Sequence, residues 1–336
     1  KKMLIVGDEK QISPDAVGVS RDAVHQLMEE LLYDFRFKDS FAIENSLFAH
    51  GKLRFGAQRI TLREHFRCMP EIIRFSNDNF YSNTPLIPLR QFGLDRLAPL
   101  EHIFVDGGFR EGTNNRVINR PADAIVEKIV ELCGDERYDD KSMGVIVLQG
   151  DAQAGLIEGA LLERLGAEEM GKRRLVCGNP YSFQGDERDV IFLSMVAAPN
   201  ERIGPFTTPA FERRFNVAAS RARDQMYLFH SVKSDDLRST CLRRKLLEFF
   251  ENTRPREIAG IDRDDLERKA FQDNRGVVRP PDPFDSWFEV DVALELVRRG
   301  YEVIPQYEFA GRRLDLVVQD GPRKLAVECD GDHWHG

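Results

Sequence analysis

The chain has 336 residues, a formal net charge of −8, and 42% hydrophobic and 31% charged residues. This is the balance of a globular protein of roughly two or three domains, and its acidity argues against an indiscriminate polyanion binder, so nucleic-acid contact would come from local basic patches. No apolar run approaches the roughly 20 residues of a membrane span, no signal-peptide layout opens the chain, and five scattered cysteines without a Cys-x-x-Cys pair fit a reducing compartment, which points to the cytoplasm.

In chain order, Met3–Val6 reads as a strand that delivers Gly7, Asp8 and Gln11 to a loop. Pro121 stands at a first helical position, and Ala122, Ile125, Val126, Ile129, Val130 and Cys133 follow at the spacing of an amphipathic helix. Val145–Leu148 is a short apolar strand. Leu156, Ile157, Ala160, Leu161 and Leu165 form the next helical stripe, and Leu175–Cys177 the next strand. The apolar run Val190–Val196, rich in β-branched and aromatic residues, reads as a buried strand. Directly before it lies the polar turn Gln184-Gly185-Asp186-Glu187, whose glycine lets backbone approach a ligand. A helix through Phe215–Ala222 and a strand Met226–Phe229 close this unit. Strands alternating with helices predict a parallel sheet with right-handed crossovers. Ligands of such sheets bind beyond the carboxyl ends of the strands, where the 184–187 turn is expected to fall.

From 233 to 283 the pattern loosens. Leu242, Leu246, Leu247, Phe249 and Phe250 predict an amphipathic helix with Arg243, Arg244 and Lys245 on its polar side. Arg254-Pro255-Arg256, the charged run Asp262–Lys269 and Arg279-Pro280-Pro281-Asp282-Pro283 read as solvated, semi-rigid linker. After Pro283 a new unit begins. Phe284, Trp287, Phe288, Leu294 and Val297 make a helical stripe that carries Glu289 and stops at Gly300. Strands are predicted at Tyr301–Ile304, Gln306–Phe309, Arg313–Val318 and Lys324–Cys329. Asp315 lies inside an apolar run, and Glu328 and Asp330 share one face of a strand end. Buried carboxylates are costly unless compensated. Acids converging from neighbouring strands suit a hard dication such as Mg²⁺; the alternative is that they pair with arginines such as Arg312 or Arg313.

Four stretches, Leu4–Pro14, Leu62–Pro70, Asn179–Val196 and Arg214–Arg223, resemble in that order motifs III, IV, V and VI of superfamily 1 helicases, in the branch of the nonsense-mediated-decay helicase. The resemblance covers residues 1 to 232. It implies the tail of a first RecA-like domain at 1–60, a second RecA-like domain at 61–232, and ATP as cofactor. On it, Gly7, Asp8 and Gln11 belong to the nucleotide site, with Gln11 sensing the γ-phosphate. Arg67 reaches the phosphates, and Gln184, Gly185 and Glu187 match motif V, where the glutamate holds the ribose. Arg221 matches the arginine finger, a guanidinium aimed at the charge that spreads in phosphoryl transfer. The Ala219-Ser220 pair beside it departs mildly from the Leu-Thr of many relatives.

Residues 286–336 resemble the PD-(D/E)XK nuclease fold, in the branch of the very-short-patch repair endonuclease. Glu289, Asp315 and Glu328 would form the acidic set, with Asp330 and His335 accessory and Mg²⁺ or Mn²⁺ held by Asp315, Glu328 and Asp330. The usual lysine two positions after the glutamate is Asp330 here, so a second metal, His333 or His335 substitutes, or the domain only binds. No Gly-x-x-x-x-Gly-Lys-Ser/Thr occurs, nor an Asp-Glu box. The expected whole is therefore an α/β fragment, truncated at both ends: part of a RecA-like helicase, a linker over 233–283, and a small restriction-endonuclease-like α/β domain over 284–336. It would act on DNA more than RNA, without ATPase activity of its own. The alternative is a non-hydrolytic nucleic-acid-binding module with an inactive nuclease-like domain, or an RNA helicase. Oligomeric state is not legible.

Overall fold

The computed structural model describes residues 3–12, 18–43, 45–90, 96–111, 118–119, 121–200, 202–252, 258, 261, 263–272, 275–299, 301–320 and 323–329. The first part of the chain holds α1 (Arg21–Leu31), α2 (Leu47–Phe55), β1 (Glu64–His65), α3 (Pro70–Asn79), β2 (Ile87–Pro88), β3 (Leu100–Phe104), β4 (Arg110–Glu111) and β5 (Ile118–Asn119). The middle holds α4 (Pro121–Cys133), β6 (Met143–Val147), α5 (Ala152–Lys172), β7 (Val176–Gly178), β8 (Arg188–Ser194), α6 (Pro209–Ala218), β9 (Ala222–His230) and α7 (Leu242–Glu251). The last part holds α8 (Arg263–Ala270), α9 (Trp287–Arg298), β10 (Glu302–Phe309), β11 (Arg312–Asp320) and β12 (Arg323–Val327).

The centre is a five-stranded parallel sheet in the order β3-β9-β8-β6-β7. Its inner strands are apolar on both faces because helices cover both. Along β8, Ile191 and Leu193 face one core, shared with α3, α6 and α7. Val190 and Phe192 face the other, shared with α4 and α5. This is the period-two alternation of a strand applied to a run with no polar side. The predicted α/β architecture and parallel sheet are thus present, with β3 as an edge strand the sequence reading did not anticipate.

Four local expectations are corrected. Met3–Val6 is irregular chain and pairs with no strand among the described residues; Leu4 is 88% exposed. An apolar run becomes a strand only where a neighbour completes its ladder, and none does so here. Arg243, expected on the polar side of α7, is 1% exposed. Its guanidinium lies 3.9 Å from the Phe206 ring centroid, and Nη1 donates to Gln149 at 3.1 Å. The apolar residues of α7 join the larger core. The charged run before Lys269 is no solvated linker but contains α8, whose Leu266 and Ala270 pack with Val290 and Leu294 of α9. Finally, the two strands expected at 301–304 and 306–309 are one strand, β10, with Gln306 at φ 50° within it.

The small C-terminal sheet is antiparallel, β10-β11-β12, with α9 packed on it. Gly300, the expected stop of α9, lies outside the described residues, as do Arg254, Pro255 and Arg256. Between the sheets, no described helix is long and apolar enough to cross a membrane.

Gly144 in β6 marks how tightly the sheet seats the 184–187 turn. A Cβ there would stand 2.7 Å from Phe183 Cε1 and 3.1 Å from Arg188 Cγ. Phe183 is fully buried, so the ring has nowhere to go. Gly144→Ala is expected to lower unfolding stability by about 1–3 kcal/mol through overpacking. The midpoint of chemical denaturation checks this, and an unchanged midpoint would show that Phe183 is free to shift.

Candidate functional site

The first candidate site is built where chain enters β8 and β9. The loop into β8 turns at Gly185, whose φ of 83° is left-handed backbone that glycine adopts without strain. Gln184 N–H donates to Tyr181 O and Asp186 N–H to Phe183 O, both at 3.1 Å, closing the turn. Because β8 begins at Arg188 and β9 at Ala222, Glu187 and Arg221 both stand at the amino ends of their strands. This corrects the expectation of a site at the carboxyl ends. The motif residues lie on segments that feed strands rather than leave them.

Arg221 is 1% exposed. Its Nε donates to Val217 O at 3.0 Å, Nη1 to Asp186 O at 3.2 Å and Phe183 O at 3.4 Å, and Nη2 to Ser220 Oγ at 3.3 Å. Burial, then the charge of Arg67, lowers its pKa to about 10, which leaves it cationic at neutral pH. Arg67 comes from the chain between β1 and α3. Its Nε donates to Glu187 Oε2 at 2.5 Å and its Nη1 to Ser220 O at 3.4 Å. Arg223 stands 3.7 Å from Glu187 Oε1. Asp186 is occupied by Arg188 at 2.7 Å, and the hydrogen bond from Arg188 holds its carboxyl below the usual range. Arg223 is equally 3.7 Å from Asp189 Oδ1, so Arg67, Arg221 and Arg223 exceed Glu187 and Asp189 by a single charge, and that surplus suits an anion.

The loop expected to face the nucleotide is held against this cluster. Gln184 Nε2 donates to Ile12 O at 3.1 Å, which joins the 184–187 turn to the 7–12 segment. Gln11 Nε2 and Tyr81 Oη both donate to Asp8 Oδ2, at 3.0 and 2.6 Å. Gly7 is packed by Phe48: a Cβ there would stand 2.7 Å from the ring. Gly7, Asp8, Gln11, Arg67, Gln184, Gly185, Glu187 and Arg221 are therefore gathered at one end of the sheet. Two members escaped the sequence reading. Asn216, whose Nδ2 donates to Tyr81 Oη at 2.9 Å, sits inside the Arg214–Arg223 stretch and could have been weighed. Tyr81 ends a stretch, Leu62–Tyr81, that continues the family pattern, but no role was given to it.

The second candidate site is in the C-terminal unit. Glu289 is 4% exposed near the start of α9. Its carboxylate accepts from Ser286 Oγ at 2.7 Å and Asp285 N–H at 3.1 Å, while Ser286 Oγ accepts from Glu289 N–H, a reciprocal cap. Gln306 Nε2 also donates to it at 2.7 Å. Asp315, one residue before the last printed ladder pair Leu316↔Val327, accepts from Cys329 N–H at 2.8 Å, which draws the chain just after β12, with Glu328, toward β11. Arg313 pairs with Asp285 rather than Asp315. Among the described residues no three His, Cys, Asp or Glu side chains are grouped to hold a metal. Asp330, His333 and His335 lie outside the described residues. Gln306, read from the sequence only as the start of a strand, links Glu289 on α9 to β10, which pairs with β11; its left-handed φ carried no sequence signal.

Fold and site together define a RecA-like α/β domain of the helicase type, followed by a small second domain. The AAA domain family model matches residues 43–233, and the chain belongs to that family. A second model, REase_MTES_1575, a restriction-endonuclease-like family, matches residues 288–336. The chain is 31% identical over 266 residues to an uncharacterized ATP-dependent helicase, MG140, of Mycoplasma genitalium, and equally so to its homolog in Mycoplasma pneumoniae. Each match covers 73% of this chain but 22% of the relative, so the chain spans about a fifth of the length of the curated relatives it matches. Its homologues are helicase-like ATP-dependent proteins, joined here to a nuclease-like domain.

His65 gives this cluster a pH signature. Its Nε2 accepts from Cys68 N–H at 3.1 Å, which needs the neutral ring. Burial, then the charges of Arg67 and Arg221, lowers its pKa from 6.5 to about 4. Between those values the unfolded chain binds the proton and the folded one does not, so folding stability is complete above pH 6.5 and declines as pH falls toward 4. His65→Gln keeps an acceptor and removes the titration, so its denaturation midpoint should depend less on pH over that window. Identical pH profiles for the two proteins would remove His65 from the account.

Proposed function

We propose that this chain is part of the motor of an ATP-dependent DNA helicase, joined to a metal-dependent DNA endonuclease domain, and that the intact protein processes or repairs DNA or defends against it in the cytoplasm. The observation that carries the motor half is the gathering of Arg67, Arg221 and Glu187 at the strand entries beside the Gln11 loop. Guanidinium charge there exceeds carboxylate charge by a single charge, a surplus that suits an anion. In this reading Gln11 senses the γ-phosphate of Mg²⁺-ATP, Arg67 and Arg221 neutralise charge as the phosphoryl group moves, and Glu187 turns from Arg67 to the ribose. Gly7, Asp8, Gln184 and Gly185 shape the backbone around the nucleotide. Residues 1–60, 61–232, 233–283 and 284–336 are assigned as first-domain tail, second RecA-like domain, linker and nuclease-like domain, with α7 contributing to the core of the second and α8 to that of the last.

Arg221→Ala in the intact protein is expected to lower ATP turnover by about 10³-fold, as for other arginine fingers. Arg221→Lys should not restore it, since lysine lacks the planar fork. Steady-state hydrolysis with and without single-stranded DNA or RNA checks both this role and the preference for DNA. Wild-type turnover in Arg221→Ala would sink the assignment.

For the second domain, the hydrogen bond that draws Cys329 N–H, next to Glu328 in the chain, onto the Asp315 carboxylate is the observation that supports a metal-dependent nuclease, with Glu328 and Asp330 completing the ligands and Glu289 and His335 assisting. Asp330 in place of the usual lysine favours a second reading, a domain that binds DNA without cutting it. Mg²⁺- or Mn²⁺-dependent nicking of plasmid separates the two. Asp315→Asn should abolish nicking, because a neutral amide is a poor ligand for a hard dication. No nicking by the wild type in either metal would leave the binding module as the surviving reading.

A further inference from the structure

We propose that Tyr81 and Asn216 are positioning residues of the nucleotide site, the middle of a continuous hydrogen-bond chain that ties Gln11 to Arg221. This rests on the reading of Gln11 and Arg221 as groups that face the nucleotide.

The chain can be followed atom by atom. Gln11 Nε2 donates to Asp8 Oδ2 at 3.0 Å, and Tyr81 Oη donates to the same oxygen at 2.6 Å. A phenol has a single proton to give. With it committed to Asp8, the Tyr81 oxygen is left to accept, and Asn216 Nδ2 donates to it at 2.9 Å. The same amide nitrogen donates to Lys10 O at 2.8 Å. From the Asn216 side chain the link runs through that residue's own backbone, whose O accepts from Ser220 Oγ at 2.7 Å, and Ser220 Oγ accepts from Arg221 Nη2 at 3.3 Å. Asp8 Oδ1 accepts from Lys10 N–H at 2.9 Å, which stiffens the loop that carries Gln11.

Polarity fixes the direction of every link. Lys10 O can only accept, so the Asn216 amide must point its nitrogen there, and a flipped amide would lose the bond to Lys10 and set oxygen against oxygen. Asn216 is 1% exposed, and its Oδ1 is buried without a hydrogen-bond partner among the described residues. A buried acceptor without a donor is destabilising. The fold tolerates that cost to keep both amide protons on the 8–11 loop and Tyr81. Burial, then the hydrogen bond to Asp8, raises the Tyr81 pKa, so the phenol keeps its proton and the link holds across working pH. Phenylalanine would fill the same volume, so the hydroxyl serves the chain of hydrogen bonds and not the packing.

Tyr81→Phe in the intact protein tests this. Loss of the central link should lower kcat for ATP hydrolysis by about tenfold, while KM for ATP stays within roughly twofold, because binding contacts are kept and positioning is lost. In a Gln11→Ala background the same change should have no further effect on kcat, since Tyr81 acts through Gln11. Wild-type kcat in Tyr81→Phe, or independent effects of the two changes, would overturn the proposal. The tie itself is read by hydrogen exchange on the 336-residue chain: the Lys10 and Gln11 amides should exchange about tenfold faster in Tyr81→Phe. Unchanged exchange overturns the tie. If the wild-type intact protein hydrolyses no ATP, the nucleotide-site reading falls on that result, and exchange alone judges whether Tyr81 holds the loop.

Discussion

The constraint on which the parallel-sheet domain depends is the burial of a permanently charged guanidinium. Arg221 is almost wholly removed from water, and a charge so placed is tolerable only if its N–H groups are satisfied. It takes carbonyl oxygens from Val217 near the end of α6, the helix before it, and from Phe183 and Asp186 on the loop into β8. Those carbonyls converge because Gly185 turns that loop back on itself in left-handed backbone. Phe183, buried against Gly144 of β6, anchors the turn to the sheet. One buried cation thus organises two loops and the strands they enter.

That dependence explains what was legible beforehand. The residue types and their order, Gln184-Gly185-Asp186-Glu187 and Arg221, were visible as motifs, and the apolar run after Asp189 was visible as a two-sided buried strand. The partners of Arg221 were not, because three of its four acceptors are backbone oxygens that carry no residue signature. The end of the sheet was misjudged for a related reason. Parallel sheets bind ligands most often where chain leaves a strand, yet these motifs sit where chain enters β8 and β9.

Errors elsewhere share one physical origin, which is that local composition does not report what packs against it. Met3–Val6 has the pattern of a strand and no neighbour to complete a ladder. Arg243 belongs to a run of three basic residues, and only the Phe206 ring makes it an interior residue. The charged stretch before Lys269 read as solvated, but two small apolar positions, Leu266 and Ala270, are enough to seat α8 on α9. In the C-terminal unit the order helix-Glu, strand-Asp, strand-Glu was legible. The contact that brings the chain after β12 onto Asp315 was not, since it follows from strand pairing and a backbone N–H, that of Cys329.

The two candidate sites differ in how their charge is balanced, and this bears on what each can do without ligand. Around Glu187 the surplus is positive, and its guanidiniums are held by carbonyls and a carboxylate, so that cluster is folded before any phosphate arrives. In the second site the described groups are acids held by neutral donors: Glu289 by Ser286, Asp285 N–H and Gln306, and Asp315 by Cys329 N–H. Neutral donors relieve desolvation but leave the negative charge in place. A cation would add to that arrangement without displacing any ion pair, whereas a nucleotide bound as proposed at the first site would exchange the Arg67–Glu187 pair for its own contacts. On the proposed reading, rearrangement on binding is therefore expected at the first site and not at the acidic one.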